Sequence, residues 1–122
     1  MVLVDTSVWI ALYRKRASEV GECLWQLAAS NQAAVCGQVW VEFIGGFRRE
    51  RERTEYEGTL AAFPFLLTSR AAFESAARYL ALHPKLGPGD AIIAATAIEN
   101  RAQLFTLDGD FRVLAKDGLE IL

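Results

Sequence analysis

The sequence predicts an α/β domain built on a parallel sheet, and three observations carry that prediction. Short apolar runs alternate with segments of helical period along the whole chain, the pattern of successive βα units. Two of those runs end abruptly in acid: Val2-Leu3-Val4 leads into Asp5-Thr6-Ser7, and Leu104-Phe105-Thr106-Leu107 leads into Asp108-Gly109-Asp110. Open parallel sheets place their ligands outside the carboxyl ends of the strands, so the feature that marks the fold also marks a site. Finally, 122 residues with 52% hydrophobic and 23% charged content suit a core-heavy α/β domain. Residues 1–122 are read as one domain without repeat, linker or low-complexity segment.

Each element follows from its local pattern. Val2–Val4 is a buried strand, and Val8, Trp9, Leu12 and Tyr13 then recur at helical spacing. Thr6 or Ser7 is placed to cap that helix, and the basic cluster Arg14-Lys15-Arg16 suits its C-terminal end. Ser18, Glu19 and Glu22 open a second helix with Val20, Leu24, Leu27 and Ala28 on one face. Ala33–Gly37 reads as the second strand. A helix from Gln38 carries Val39, Phe43 and Phe47, with Gly45-Gly46 marking a kink or a close helix contact. Arg48–Glu57 is densely charged with mixed signs and predicts an exposed helical arm. Phe65–Thr68 is the third strand. Ser69 caps a helix striped with Ala72, Phe73, Ala76, Ala77 and Leu80. Gly87-Pro88-Gly89 then breaks the chain, with Pro88 at the start of another helix, Asp90 in its first turn and a nearly all-apolar run to Ile98. Leu104–Thr106 and Leu119–Ile121 supply the last two strands, around a short helix at Phe111–Ala115.

The totals also exclude function classes. A net charge of −2 argues against binding nucleic acid by general attraction, so any such contact must be local. Cys23 and Cys36 lack CxxC spacing and share the chain with one histidine, His83, so buried free thiols are expected rather than a disulfide or a zinc site. No basic leader precedes an apolar run, and no run approaches the roughly 18 residues of a membrane span, which predicts a soluble cytoplasmic protein.

Four acids occupy positions that local structure does not explain together: Asp5, Glu42, Asp90 and Asp108, with Asp110 close behind the last. Each has an ordinary reading. Asp90 can be a first-turn helix acid, Asp108 and Asp110 can be turn formers about Gly109, and Asp5 can be a helix cap. Glu42 can extend from a helix edge, although Val39, Trp40, Val41, Phe43 and Ile44 are apolar company. One shared site explains all four at once. Two carboxylates about 4 Å apart repel by about 4 kcal/mol at an effective dielectric near 20, so a counter-charge is required. No Lys or Arg adjoins any of the four in sequence, and an all-oxygen cluster suits Mg²⁺ or Mn²⁺. Such an ion, with open positions for a phosphate oxygen and a water, is the arrangement of phosphodiester hydrolysis.

On these residues the sequence resembles the PIN-domain ribonucleases, and among them the VapC-type toxins of toxin–antitoxin pairs. The carriers are Val4-Asp5-Thr6-Ser7, Val41-Glu42-Phe43, the run Asp90–Ala95, and Thr106–Phe111, in that order over the whole chain. The resemblance implies a central parallel five-stranded sheet with helices on both faces. It implies a metal-dependent endoribonuclease acting on structured RNA, tRNA or rRNA, with Mg²⁺ or Mn²⁺ as cofactor, a homodimer, and a small VapB-type antitoxin as partner. Asp5, Glu42, Asp90 and Asp108 would then be the catalytic acids, with Asp5, Asp90 and Asp108 the metal ligands. Thr6, Ser7, Thr106 and Asp110 would support them. Cys36-Gly37-Gln38 departs from the family at the place where a hydroxyl residue often precedes the glutamate helix, and Asp110 competes with Asp108 as fourth acid.

Basic residues could complete such a site. Arg14, Lys15 and Arg16 follow the first helix, and Arg48 follows the helix of Glu42, so these four are the candidate RNA contacts, against the ordinary reading of a solvated face. Trp9, Trp25, Trp40, Phe43 and Phe47 read as core, or else as a groove for an antitoxin helix or a dimer surface. Two rival functions remain. A phosphotransfer enzyme with Asp5 as nucleophile expects a second acid close behind and a lysine near the site, which Asp5-Thr6-Ser7 lacks. A catalytically silent PIN-like binding module with a structural metal would keep the same acids.

Overall fold

A computed structural model of the chain describes residues 1–16 and 18–122. The elements run β1 (Val2–Val4), α1 (Thr6–Tyr13), α2 (Ser18–Ala29), β2 (Ala33–Cys36), α3 (Gly37–Ile44), α4 (Glu50–Ala61), β3 (Phe65–Leu66), α5 (Arg70–Leu82), α6 (Pro88–Glu99) and β4 (Gln103–Phe105). A 3₁₀ helix, Gly109–Asp117, follows β4. The strands form one parallel sheet in the order β3-β2-β1-β4, with Val2 opposite both Ala33 and Gln103, and Val4 opposite Phe105. Every residue of β1 and β2 is buried. Successive side chains of a strand point to opposite faces, so burial of all of them means that both faces of the sheet are covered.

This strand order has a consequence for function. The chain winds outward from β1 through β2 to β3, then returns to place β4 on the other side of β1. The reversal falls between β1 and β4, and crevices at such reversals are where open α/β sheets bind ligands. Asp5 leaves β1 at this point and is stitched to β4 by its own backbone, its N–H donating to the Phe105 carbonyl at 2.9 Å.

The sheet has four strands among the described residues, not the expected five. Leu119 is still turned into the core after the left-handed Gly118 (φ 102°), and only Ile121 pairs, in a single parallel bridge to Leu104. The third strand stops at Leu66 because the next carbonyl, Leu67, is taken by the Asn100 side chain at 3.1 Å rather than by a neighbouring strand. The second strand ends one residue early, since Gly37 already begins α3. Gly45-Gly46 ends α3 instead of kinking it, and the charged arm is a helix of its own, α4. Ser69 caps α5 as expected, accepting from the Ala72 N–H. At α1 the cap expectation fails. Asp5 is the N-cap residue, no side chain caps the helix, and the Thr6 and Ser7 hydroxyls serve the acids instead.

An aromatic cluster joins α1, α3 and α4. Trp9 packs against Phe43 and edge-on against Phe63, while Phe47 stacks on Tyr56 at 5.0 Å and 7°. Arg53 donates to the Phe47 carbonyl and fixes the turn between α3 and α4. Trp9 is fully buried, but Trp25 is 51% exposed and belongs to the surface, not the core. Cys36 is buried and Cys23 half-buried, and both are free thiols.

Candidate active site

Asp5 is only 3% exposed, and its setting explains how a carboxylate tolerates that. Its Oδ2 accepts two hydrogen bonds, from Ser7 Oγ and from Thr106 Oγ1, each at 2.7 Å. Those hydroxyls in turn accept from the loop after β4: the Leu107 N–H donates to Ser7 Oγ and the Asp108 N–H to Thr106 Oγ1, both at 3.0 Å. Two backbone amides therefore reach one carboxylate oxygen through two hydroxyl relays. Oδ1 receives no hydrogen bond among the described residues and is the oxygen left for another partner.

Glu42 projects from α3 and is also held at both oxygens. Thr6 Oγ1 donates to Oε1 at 2.6 Å, and Gln38 Nε2 donates to Oε2 at 3.0 Å. The sequence leaves the support of Glu42 open while naming Thr6 among the supporting residues; Thr6 and Gln38 are the side chains that bond it. Gln38 is a site residue that sequence reasoning misses, although its spacing of four on the same helix face is the signal that could have found it.

Asp90 is different. It lies half-buried in the first turn of α6, with no hydrogen bond to its carboxylate among the described residues. Burial pushes its carboxyl up to about 6, and the charges of Asp5, Asp108, Glu42 and Asp110, in that order, push it the same way. All five acids thus meet in one field. Asp108 acts on Asp90 more strongly than Asp110 does, and it also organises the turn, its Oδ1 accepting from the Asp110 N–H at 2.9 Å. The turn-forming reading and the site reading of Asp108 are therefore compatible.

None of these acids forms an ion pair among the described residues, where the one such pair is Arg70 with Glu74 on the surface of α5. Nor do three of the described His, Cys, Asp or Glu side chains already converge as a preformed coordination shell. The acids are close enough to repel one another without closing into a shell. Cys36 is buried at the N-cap of α3, and burial, then the Glu42 and Asp5 charges, hold its thiol up against the Val39 and Gln38 amides that pull it down. An uncompensated all-oxygen set fits a hard divalent cation.

A cleft of about 470 Å³ opens from Glu42 and is lined by Arg14, Arg48 and Arg49, with Tyr13, Phe43 and Phe47 among its walls. Two of the four expected RNA contacts, Arg14 and Arg48, thus face the same space, and Arg49, which sequence does not single out, joins them. Lys15 does not: it turns at φ 54° and lines a separate hollow with Leu12, Ser18 and Gly21. Arg16 is exposed and lines neither. No helix among the described residues is long and apolar enough to cross a membrane.

Residues 2–117 match the family model of the PIN domain. Ribonuclease VapC11 of Mycobacterium tuberculosis is 30% identical over 95% of this chain and 92% of its own length. Ribonuclease VapC10 of the same organism is 35% identical over 88% of this chain and 83% of its own. A toxin–antitoxin complex from Klebsiella pneumoniae contains a chain of similar structure, with a TM-score of 0.76 at 28% identity, covering 91% of this chain and 90% of that one.

Proposed function

The chain belongs to the PIN-domain family, and we propose that it is a VapC-type endoribonuclease, the toxin of a toxin–antitoxin pair. Its reaction is hydrolysis of phosphodiester bonds in structured RNA, of the tRNA or rRNA kind, by residues 1–122 acting as one domain. The observation that carries this reading is the uncompensated charge at the β1/β4 crevice, where Asp90 is raised to about 6 by burial and by four neighbouring acids. The ribonuclease names of the relatives support the same chemistry.

Asp5 through its free Oδ1, together with Asp90 and Asp108, would hold Mg²⁺ or Mn²⁺. When bound, that ion supplies a water of lowered pKa and neutralises charge on the phosphate. The chain's own residues do the rest. Ser7 and Thr106 fix the orientation of Asp5. Glu42, locked by Thr6 and Gln38, presents a fixed negative edge for ordering the attacking water. Arg14 and Arg48 hold flanking phosphates in the adjoining cleft, which lets an acidic protein grip RNA locally. The protein works in the cytoplasm as a homodimer restrained by a small VapB-type antitoxin.

The test is incubation of the isolated protein with a purified tRNA pool and ribosomal RNA in Mg²⁺ or Mn²⁺, beside EDTA and an Asp5→Asn variant. Cleavage at discrete positions, lost in both controls, is the expected result. Cleavage that persists in either control, or none in either RNA, would contradict the assignment.

A further inference from the structure

We propose that Gln38 and Gly89 are positioning residues for Glu42, one holding its carboxylate and the other leaving the space in which it lies. The inference deepens the ribonuclease reading and rests on it for its catalytic consequence.

Gln38 and Glu42 lie four residues apart on α3, so they share a face of the helix. The Gln38 amide donates to Oε2 at 3.0 Å, while Thr6, from α1, donates to Oε1 at 2.6 Å. Donors from two helices therefore fix both ends of the carboxylate and remove its freedom to rotate. The third side of this enclosure is α6. A Cβ built on Gly89 would overlap Glu42 Oε2, and it would lie 3.0 Å from Gln38 Nε2 and 3.2 Å from Glu42 Cδ. Nothing in the backbone demands glycine there, since Gly118 is the glycine with positive φ among the described residues. Gly89 is the second residue of α6, and what sets it apart is the space it leaves empty beside α3. The Glu42 carboxylate fills that emptiness. Asp90 follows Gly89 directly, so one turn of α6 delivers an acid to the site and accommodates the acid from α3.

The overlapping atom is the far end of a flexible side chain, so Gly89→Ala can displace Glu42 without disrupting the backbone. That makes the proposal testable by three variants, Gly89→Ala, Gln38→Ala and Glu42→Ala, and by the two doubles that combine Glu42→Ala with each of the others. For the RNA cut by the wild type, kcat is expected to fall on the order of 100-fold in Gly89→Ala and about tenfold in Gln38→Ala. KM and melting temperature stay near the wild-type values. In the Glu42→Ala background neither substitution costs anything further, because the group they position is gone. Losses that persist undiminished in that background, or wild-type kcat in Gly89→Ala, overturn the proposal.

A second readout needs no activity. The Gln38 side-chain amide resonances should be displaced from the free-amide position in the wild type and should return to it in both Glu42→Ala and Gly89→Ala. Undisplaced wild-type resonances overturn the positioning geometry. A wild type that cuts no RNA but shows the displaced amide would instead defeat the ribonuclease reading and leave the geometry standing.

Discussion

Asp5 and Asp90 meet at one crevice and are held by opposite means. Asp5 is almost wholly buried, yet two hydroxyls donate to it and two loop amides stand behind them. Glu42 on the same side is held at both oxygens. Asp90, more open to solvent, has no donor among the described residues and is pushed up to about 6. Asp5 and Glu42 are satisfied by the protein, and Asp90 is left with a charge that the protein does not answer. A purely structural acid would resemble Asp5 at both places. The asymmetry is what a cation site requires: a fixed wall, and a facing group whose repulsion is relieved only on binding.

The largest effect should come from the same substitution made on the two sides. Asp5→Asn and Asp90→Asn should each lower RNA cleavage on the order of 10³-fold, measured as kcat/KM. Their effects on the metal-free protein should have opposite signs. Asp90→Asn removes a repelled charge, and because the carboxyl is only half-buried the gain is about 1 kcal/mol, seen as a melting temperature higher by on the order of 3 °C. Asp5→Asn keeps an oxygen that can accept both hydrogen bonds but removes the charge that strengthens them, and should cost about 1 kcal/mol. Melting curves that move the same way would break the comparison.

Next in size is Thr106→Val, which keeps the shape and removes the hydroxyl relay to Asp5. Cleavage should fall about 10- to 100-fold, with about 1–2 kcal/mol lost in urea denaturation. An unchanged rate would mean that Ser7 and the backbone orient Asp5 without Thr106.

The pH dependence of stability separates the two sides more finely. The Asp90 carboxyl is raised from 3.8 to about 6, so between those values the folded metal-free protein binds more protons than the unfolded chain. Stability attributable to this group therefore falls as pH rises through that window and levels off above it. Urea titrations from pH 4 to 7 should show this decline in the wild type, and the part due to Asp90 should vanish in Asp90→Asn.

The smallest effects lie outside the acids. Arg14→Ala and Arg48→Ala, which face the cleft beside Glu42, should each flatten the salt dependence of RNA binding by about 0.7 in log–log slope. Arg16→Ala, directed elsewhere, should leave the slope where it was. Equal changes in all three would return the basic cluster to a solvated face.

The site is legible in the sequence where strand geometry coincides with it. A strand that stops on an acid announces Asp5, and a glutamate surrounded by apolar residues announces Glu42. Asp108 does not end its strand, since β4 stops at Phe105 and Asp108 lies at the start of the 3₁₀ helix. What cannot be read depends on helices crossing in space. Thr6 reads both as a cap and as a support for the acids until α3 brings Glu42 to its hydroxyl. Gly89 looks like part of a breaker until the same carboxylate is found in the space beside it. Arg14 and Lys15 are indistinguishable as neighbours in a basic run, and a left-handed turn at Lys15 sends them to different hollows. Leu119–Ile121 has the composition of a fifth strand, but after the left-handed Gly118 only Ile121 pairs, with Leu104.

If a divalent cation answers the charge left on Asp90, calorimetric titration of the metal-free protein with Mn²⁺, alongside Asp90→Asn, shows it most directly. Saturable binding by the wild type, weakened at least about tenfold in the variant, is the expected result. Binding of equal strength in both proteins, or none in the wild type, would contradict it.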